Sequence, residues 1–230
     1  MNVQQHIDMM KDYKSSFMKD GYALIKNVFT AEEIEHFRML AYNIRFDQGD
    51  LLASKHLSML VYDKRITNIA KAIIGNEIFY FGDSTCNFNG PITNYHKDNA
   101  DRYNQDGPDW KKEEYSVIRI GIYLQDHKSH SQGLSIRSGS HLFPDFTSGT
   151  PIYMDSEVGD VVVWSLKTTH MGMTDATKDN KTPLSRNHDL DATKVLPPPE
   201  CDRIAIFISY GNNSPETIRF MDYLRTRFMP

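Results

Sequence analysis

One short segment of the chain, NYHKDNADRY (residues 94–103), holds a histidine and an aspartate two positions apart, His96 and Asp98. In an extended segment, side chains two positions apart point to the same side, so this pair can offer an imidazole and a carboxylate to one metal ion. A facial set of two histidines and one carboxylate holds iron(II) and leaves coordination positions open for chemistry. The pair therefore indicates two ligands of such a set.

A second pair with the same spacing, His6 and Asp8, shows how weak this signal is by itself. With nine histidines and 30 acidic residues in the chain, roughly one such pair is expected by chance. The apolar spacing in residues 3–13 predicts a helix, in which positions i and i+2 do not face each other. His6 and Asp8 are therefore not expected to chelate together, whereas His96 and Asp98 follow a predicted strand.

The candidate third ligand is His170, in the segment GDVVVWSLKTTHMGM. It follows a strongly apolar predicted strand after a short polar connection. On spacing alone, His170 could equally be a loop histidine whose hydrogen bonds are satisfied. His141 competes for the same role, but it follows a Ser-Gly-Ser turn, where a structural hydrogen bond or a contact with a ligand is expected rather than ligation.

The elements that must position these residues fall into two halves. Residues 1–75 show a mostly helical period, with a short strand in GYALIKNVF, a capping box from Thr30 to Glu33 and a helix that ends at Gly75. From Ile78 onward the predicted elements are strands, and no further helical period is identified. The strands are IFYFG, SVIRIGIYLQD, GLSI, DVVVWS and RIAIFISYG. This order predicts a mainly β jelly roll or sandwich with N-terminal helices packed on one sheet.

The length predicts a single domain over residues 1–230, in which residues 76–230 form the β core. A polar stretch at 171–202 reads as a long loop insertion. Two cysteines, Cys86 and Cys201, form neither a disulfide framework nor a metal-binding pair.

The net charge of -4 argues against general nucleic-acid binding. No signal peptide is identified, and no run reaches the roughly 18 apolar residues of a membrane helix. We therefore expect a cytoplasmic protein whose partner is a small molecule. Its oligomeric state does not follow from the sequence.

Several segments taken together resemble the phytanoyl-CoA dioxygenase family of iron(II)/2-oxoglutarate-dependent oxygenases. In chain order they are FMKDGYALIKNVFTAEEIEHFR, NYHKD, QGLSIRSGSH, EVGDVVVWSLKTTHMG and DRIAIFISYGN, and they cover nearly the whole chain. The resemblance implies a double-stranded β-helix, which is a cupin-like jelly roll. It also implies a catalytic site that takes Fe(II), 2-oxoglutarate and O2.

On these motifs, the resemblance implies that His96, Asp98 and His170 are the iron ligands. It also implies that Arg203, at the start of RIAIFISYG, binds the far carboxylate of 2-oxoglutarate. A planar guanidinium suits this carboxylate because it can donate two parallel hydrogen bonds. The alternative is an arginine that only caps the end of the sheet.

Two further side chains are candidates for cosubstrate binding. Asn87 resembles a family position whose amide contacts the cosubstrate, although beside Gly90-Pro91 it could equally be a turn residue. Arg119, a charge inside an apolar strand, could anchor a second carboxylate or point to solvent.

The chain departs from the family pattern at three places. Gly172 stands where the family often has a small hydroxyl residue, and Arg137-Ser138 stand where it usually has a proline. The long loop before the last strand contains Arg186, an alternative partner for the 2-oxoglutarate carboxylate. We favour Arg203 because a strand positions a side chain better than a long loop does.

The expected reaction is hydroxylation of a small polar metabolite or biosynthetic intermediate, with release of succinate and CO2. Polar residues near the metal favour a polar substrate, unless they only coat a solvated loop. They are Lys97, Asn99, Arg102 and Tyr103. Lys97 should point away from the two ligands that flank it.

Asp98 bears on the reaction because related halogenases carry a small residue there, so that halide can bind. Desaturation and ring closure would use the same site as hydroxylation. Two other classes stay open. One is a non-catalytic β-sandwich ligand-binding module, in which the three ligands would lie apart. The other is a cupin-type metalloenzyme that does not use 2-oxoglutarate and has no need of Arg203.

Overall fold

The computed structural model describes residues 3–45, 49–89, 94–112, 114–125, 133–172 and 202–226. The helices within these ranges are α1 (Val3–Asp20), α2 (Ala31–Asn43), α3 (Met59–Tyr62), α4 (Lys64–Ile74) and α5 (Pro215–Thr226). The strands are β1 (Tyr22–Ile25), β2 (Ile78–Phe88), β3 (Ile118–Tyr123), β4 (Leu134–Ser138), β5 (Thr150–Tyr153), β6 (Val161–Ser165), β7 (His170–Gly172) and β8 (Ile204–Asn212). None of these helices has the length and apolar character needed to cross a membrane.

The predicted ends of two helices are confirmed. At the start of α2, the Thr30 hydroxyl accepts from the Glu33 N–H, and the Glu33 carboxylate accepts from the Thr30 N–H, which satisfies two amide donors of the first turn. Helix α4 starts after Asp63, whose carboxylate accepts from the Arg65 N–H. It ends at Gly75, where φ is 98° and a side chain would be strained.

Eight described strands form two antiparallel sheets, as the strand pattern predicts. The larger sheet has five strands in the order β1-β6-β3-β8-β2, and the smaller has three in the order β5-β4-β7. Side chains alternate between the two faces of each strand. In β3, Ile118, Ile120 and Ile122 face the helices in the main apolar core, together with residues of α2 and α4.

The opposite face of the larger sheet packs against the smaller sheet. Tyr123 and Trp164 lie on this face and form a second apolar cluster with Leu134 and Ile136 of β4. The candidate site lies between the two sheets. Helices on one side and the smaller sheet on the other therefore fix the strands that carry the site.

Gly121 allows the indole of Trp164 to lie across β3. A Cβ at this position would be 2.9 Å from Trp164 Cζ3 and 3.3 Å from Phe207 Cε1. We expect Gly121→Ala to lower the free energy of unfolding by about 1–3 kcal/mol through overpacking, as measured by urea denaturation. The loss of unfolding free energy should be smaller in a Trp164→Phe background, which lacks the indole whose Cζ3 makes the closest contact. An equal loss in both backgrounds would contradict this explanation.

The expectation that no helix follows Ile78 is wrong, because α5 occupies Pro215–Thr226. Its local signals are a serine N-cap and a proline at the first helical position: the Ser214 hydroxyl accepts from the Thr217 N–H. Thr217, Phe220 and Leu224 give the buried face a helical spacing. Only two residues separate the helix from the end of β8, so its period follows a strand pattern with almost no intervening turn.

The first two residues of the predicted loop insertion at 171–202 belong to a strand. Met171 and Gly172 belong to β7, which pairs with β4. This strand has only three residues, too few to show an alternation in sequence. Residues 173–201, with Arg186 and Cys201, lie outside the described residues.

Candidate metal centre

His96 and His170 lie opposite each other across an isolated antiparallel bridge. The His96 N–H donates to the His170 carbonyl over 3.0 Å, and the His170 N–H donates to the His96 carbonyl over 2.9 Å. Directly opposed residues of antiparallel segments place their side chains on the same face. The two imidazoles accordingly converge, with ring centroids 4.3 Å apart.

Asp98 completes this group. Its backbone N–H donates to the Leu166 carbonyl over 2.9 Å, which ties the segment to the end of β6. Asp98 Oδ2 lies 3.5 Å from His170 Nε2, and Asp98 Oδ1 lies 3.9 Å from His96 Nε2. One potential ligand atom from each of the three residues lies within 4.8 Å of the others. The other H-x-D pair, at residues 6 and 8, lies in α1, and the structure does not describe its side chains.

Backbone carbonyls orient both imidazoles for ligation through Nε2. His96 Nδ1 lies 2.9 Å from the Asn94 carbonyl, and His170 Nδ1 lies 3.0 Å from the Thr168 carbonyl. A carbonyl only accepts, so Nδ1 carries the proton and Nε2 of the neutral ring keeps its lone pair. Burial lowers the pKa of His170 to about 3, which keeps its imidazole neutral at physiological pH.

The Asp98 carboxylate is held in its charged form. Burial is the largest single influence and acts to raise its pKa, but the neighbouring positive groups, Arg119 foremost among them, together outweigh burial and hold the pKa of Asp98 well below its usual range. The Arg119 Nη1 donates to Asp98 Oδ2 over 2.5 Å. Two imidazole nitrogens and a charged carboxylate are a donor set that suits iron(II), so the residues present fit this metal.

A cavity of about 240 Å³ opens onto this group. The six residues predicted as iron ligands or cosubstrate contacts all contribute to its lining: His96, Asp98, His170, Arg203, Asn87 and Arg119. Gly172 also lines it. The structure thus brings the predicted residues together, while their individual roles stay predictions.

Arg203 is a buried cation beside this cavity, with 3% of its surface exposed. Its backbone is fixed by Asn89, whose side-chain Oδ1 accepts from the Arg203 N–H over 2.9 Å and whose N–H donates to the Arg203 carbonyl over 2.8 Å. Its guanidinium carbon lies 5.5 Å from the Tyr123 ring centroid. Burial lowers the pKa of Arg203. A buried guanidinium at a cavity favours an anionic ligand.

Lys97, between the two ligands, does not contribute to the described lining of the cavity. Its ammonium donates to the carbonyls of Ser140 and Lys167 over 2.8 and 2.7 Å and lies 5.3 Å from the Trp110 ring centroid. Burial lowers the pKa of Lys97 to about 7. The lysine therefore fastens the H-x-D segment to two turns of the core.

The polar segment after Asp98 includes a buried side chain that is held by a hydrogen bond within the protein. Asn99 is fully buried, and its amide donates to Asp109 Oδ2 over 2.9 Å. The interpretation of this segment as a solvated polar coat is wrong for Asn99 and for Lys97, although Tyr103 is 69% exposed. None of these residues belongs to the described lining of the cavity.

Helix α5 holds this segment through Arg219, which sequence reasoning missed. Its Nη1 donates to Asp109 Oδ1 and its Nη2 contacts Asp101 Oδ2, each over 2.6 Å. Asp101 Oδ2 also accepts from the Asp109 N–H over 2.9 Å. One arginine of α5 thus neutralises two carboxylates in the segment that follows the candidate ligand Asp98.

We expect Arg219→Gln to lower the free energy of unfolding by about 3 kcal/mol, because it leaves two buried carboxylates without their cation. Thermal denaturation measures the loss. The matched control is Arg225→Gln in the same helix, whose partner Asp222 is 61% exposed. That change should cost less than about 1 kcal/mol. Equal effects of the two substitutions would show that burial of the carboxylates is irrelevant.

His141 and Arg137 have structural contacts. His141 Nε2 donates to the Met18 carbonyl over 3.1 Å, and His141 is not part of the metal-binding group. Arg137 donates to the carbonyls of Ser148 and Gly149, each over 2.9 Å, and contacts that of Thr147. Arg137 therefore holds the loop between β4 and β5.

Comparisons with known proteins identify the fold. Neither family models nor curated proteins match the chain. Among solved structures, the non-heme alpha ketoglutarate dependent epimerase SnoN from nogalamycin biosynthesis matches with a TM-score of 0.65 and 16% identity, covering 94% of this chain and 89% of SnoN. The carbocyclase SnoK from the same biosynthesis matches with a TM-score of 0.62 and 17% identity, covering 88% of this chain and 84% of SnoK.

A third similar structure is that of HygX from Streptomyces hygroscopicus with iron bound, at a TM-score of 0.62 and 16% identity, covering 88% of this chain and 86% of HygX. SnoN has also been solved in complex with Fe3+, alpha ketoglutarate and nogalamycin RO. These likenesses show that the chain shares the fold of non-heme iron enzymes. The described His-Asp-His group is consistent with iron and 2-oxoglutarate as the cofactors.

Proposed function

We propose that this chain is an Fe(II)/2-oxoglutarate-dependent oxygenase with a double-stranded β-helix of the phytanoyl-CoA dioxygenase type. We further propose that it hydroxylates a small polar molecule. The observation that carries the proposal is the convergence of His96, Asp98 and His170 within 4.8 Å in a cavity that Arg203 also lines. When bound, iron and 2-oxoglutarate supply an O2-dependent oxidation in which 2-oxoglutarate becomes succinate and CO2.

The three ligand residues would hold iron(II) on one side and leave the cavity side open. Arg203 would bind the far carboxylate of 2-oxoglutarate through two parallel hydrogen bonds. Asn87 lies on β2, opposite Ala205 of β8, so its amide faces the same cavity and can contact the cosubstrate. Tyr123, below the Arg203 guanidinium, would keep this cation in place.

Apolar side chains close the cavity next to the polar ones. Leu134, Trp164 and Phe207 contribute to its lining, and the Trp164 and His170 ring centroids are 5.3 Å apart. Such walls exclude water and strengthen the electrostatic contacts inside the site. The cavity therefore combines cationic anchors with a shielded space beside the ligands.

The binding-module alternative requires the three ligand residues to lie apart, and in the structure they are adjacent. A cupin-type metalloenzyme would keep the ligands without binding 2-oxoglutarate. Anaerobic addition of Fe(II) and then 2-oxoglutarate separates these classes through the visible charge-transfer band of an iron-bound keto acid. We expect the band. Iron binding without it would favour the cupin-type enzyme, and the absence of iron binding would favour the module.

The reaction outcome requires a substrate screen under O2 that counts succinate and records product mass. We expect products that gain one oxygen atom, because Asp98 fills the position that halide needs in halogenases. SnoN is an epimerase and SnoK a carbocyclase, so products of unchanged mass or lacking two hydrogens would assign one of those outcomes instead. Succinate formation that no substrate stimulates would refute the hydroxylase proposal.

A further inference from the structure

Strand β2 contains an irregularity directly opposite the centre of β8. Tyr80 pairs with Tyr210 and Ser84 pairs with Ile208, so residues 81–83 face the single residue Ser209. Gly82 has a φ of 84°, a conformation that glycine adopts without strain. Bulges of this kind redirect side chains and occur next to active sites. Here the bulge brings Asp83 into the lining of the cavity.

Asp83 reaches the metal-binding group through Arg119. The Arg119 Nη2 donates to Asp83 Oδ2 over 2.7 Å, and its Nη1 donates to Asp98 Oδ2 over 2.5 Å. The remaining guanidinium contact is from Nε to Ser209 Oγ over 3.1 Å, and this hydroxyl in turn donates to Asp83 Oδ2 over 2.7 Å. Each nitrogen of the guanidinium is thus directed to a different oxygen atom.

The strand pairing around Arg119 holds this network in place. Arg119 lies on β3, between β6 and β8 in the larger sheet, and its side chain is only 17% exposed. Ser209 is its register partner on β8. A planar guanidinium fixed at two nitrogens has no freedom to rotate, so the direction of its third nitrogen, Nη1, is set by Asp83 and Ser209.

We propose that Asp83 and Ser209, acting through Arg119, are positioning residues for the metal ligand Asp98. The Arg119 guanidinium engages Oδ2 and leaves Oδ1 as the oxygen available for single-oxygen ligation. Ligation through both oxygens would consume one of the three open positions that a two-histidine, one-carboxylate site provides. This inference rests on the metal site of the proposed function.

The charge of Asp83 is as important as its geometry. A guanidinium beside a divalent cation repels it, and this repulsion is strong in a part-buried site. Asp83 pairs with Arg119 through the other terminal nitrogen, Nη2, so the pair orients the ligand without presenting an uncompensated positive charge to the metal. Removal of the Asp83 charge should therefore weaken metal binding through both orientation and repulsion.

The test uses Co(II) alone as the probe, with affinity measured by titration of its visible spectrum. We expect Asp83→Asn to weaken Co(II) binding about 10-fold, the lower end of the range for residues that orient a ligand. Ser209→Ala should weaken it in the same direction and by less. The matched control is Asp202→Asn, which removes a carboxylate that contacts Asn89 and Arg45 rather than the Arg119 network. It should stay within about 2-fold of the unmodified protein.

Each outcome is decisive. An unchanged Co(II) affinity in Asp83→Asn, or equal losses in Asp83→Asn and Asp202→Asn, would overturn the positioning role. Circular dichroism checks that each variant folds. If Asp83→Asn does not fold, the Co(II) affinity of Ser209→Ala tests the positioning role instead. If the unmodified protein binds Co(II) but shows no keto-acid band after addition of Fe(II) and 2-oxoglutarate, only the proposed oxygenase function is overturned. Failure of the unmodified protein to bind Co(II) would overturn both.

Discussion

Asp98→Ala is expected to abolish iron(II) binding and 2-oxoglutarate turnover together. The carboxylate is the charged member of the His96, Asp98 and His170 group, and two imidazoles alone are a weaker site for a divalent cation. Succinate formation should fall at least about 100-fold. This loss exceeds the loss of activity that is typical when a residue that only contacts a metal ligand is replaced. Iron affinity and succinate release are measured on the same preparations.

The protein should still fold, because Arg119 keeps Asp83 as a partner when Asp98 is removed. Asp222→Ala supplies the matched control, since it makes the same change at a carboxylate that is 61% exposed. It should leave both iron binding and turnover intact. An Asp98→Ala protein with unaltered iron affinity would show that the metal, if any, binds elsewhere, and the proposed function would fail.

Arg203→Met is expected to separate cosubstrate binding from metal binding. Methionine has a similar length and is tolerated in a buried position, but it cannot pair with a carboxylate. Removing one partner of a buried charge pair costs about 2–5 kcal/mol, so 2-oxoglutarate affinity should fall by about 100-fold while iron affinity is retained. The keto-acid charge-transfer band reports the first quantity, and iron titration reports the second.

Arg203→Lys refines this experiment, because an ammonium keeps the charge and loses the planar pair of donors. Its effect should be intermediate. Arg45→Met, at an exposed arginine that contacts Asp202, should leave 2-oxoglutarate affinity unaltered. If Arg203→Met binds 2-oxoglutarate as tightly as the unmodified protein, Arg203 only caps the sheet and Arg186 becomes the candidate partner.

The parts of the fold that sequence predicted are those encoded by local chemistry. The capping box at Thr30 and the glycine at Gly75 each satisfy backbone groups within one turn, so their signal needs no tertiary context. The isoleucines of β3 alternate because one face of the sheet is buried against helices. By contrast, β7 has three residues, and its pairing with β4 is a long-range property that no local pattern records.

The candidate site shows the same difference between features with a local sequence signal and features that depend on long-range pairing. His96 and Asp98 became candidates through their spacing together with their place after a predicted strand, and His170 through its place after an apolar strand. The structure brings the three side chains together, and their role as iron ligands stays a prediction. The link from Asp83 to Arg119 was not identifiable, since it depends on a bulge and on the register of three strands. Arg119 was predicted either to anchor a carboxylate of the cosubstrate or to point to solvent. In the structure its guanidinium contacts two carboxylates of the protein itself, Asp98 and Asp83, and a contact with the cosubstrate stays a prediction.

The burial of Lys97 has a consequence for attempts to retarget this protein by directed evolution. A library designed around His96 and Asp98 would naturally randomise the position between them, since Lys97 is not a ligand. Its ammonium, however, bonds to the carbonyls of Ser140 and Lys167, so most replacements there would yield inactive clones whatever the substrate. Sequence diversity is better placed at Thr85, which lines the cavity from a strand whose backbone pairing does not depend on its side chain.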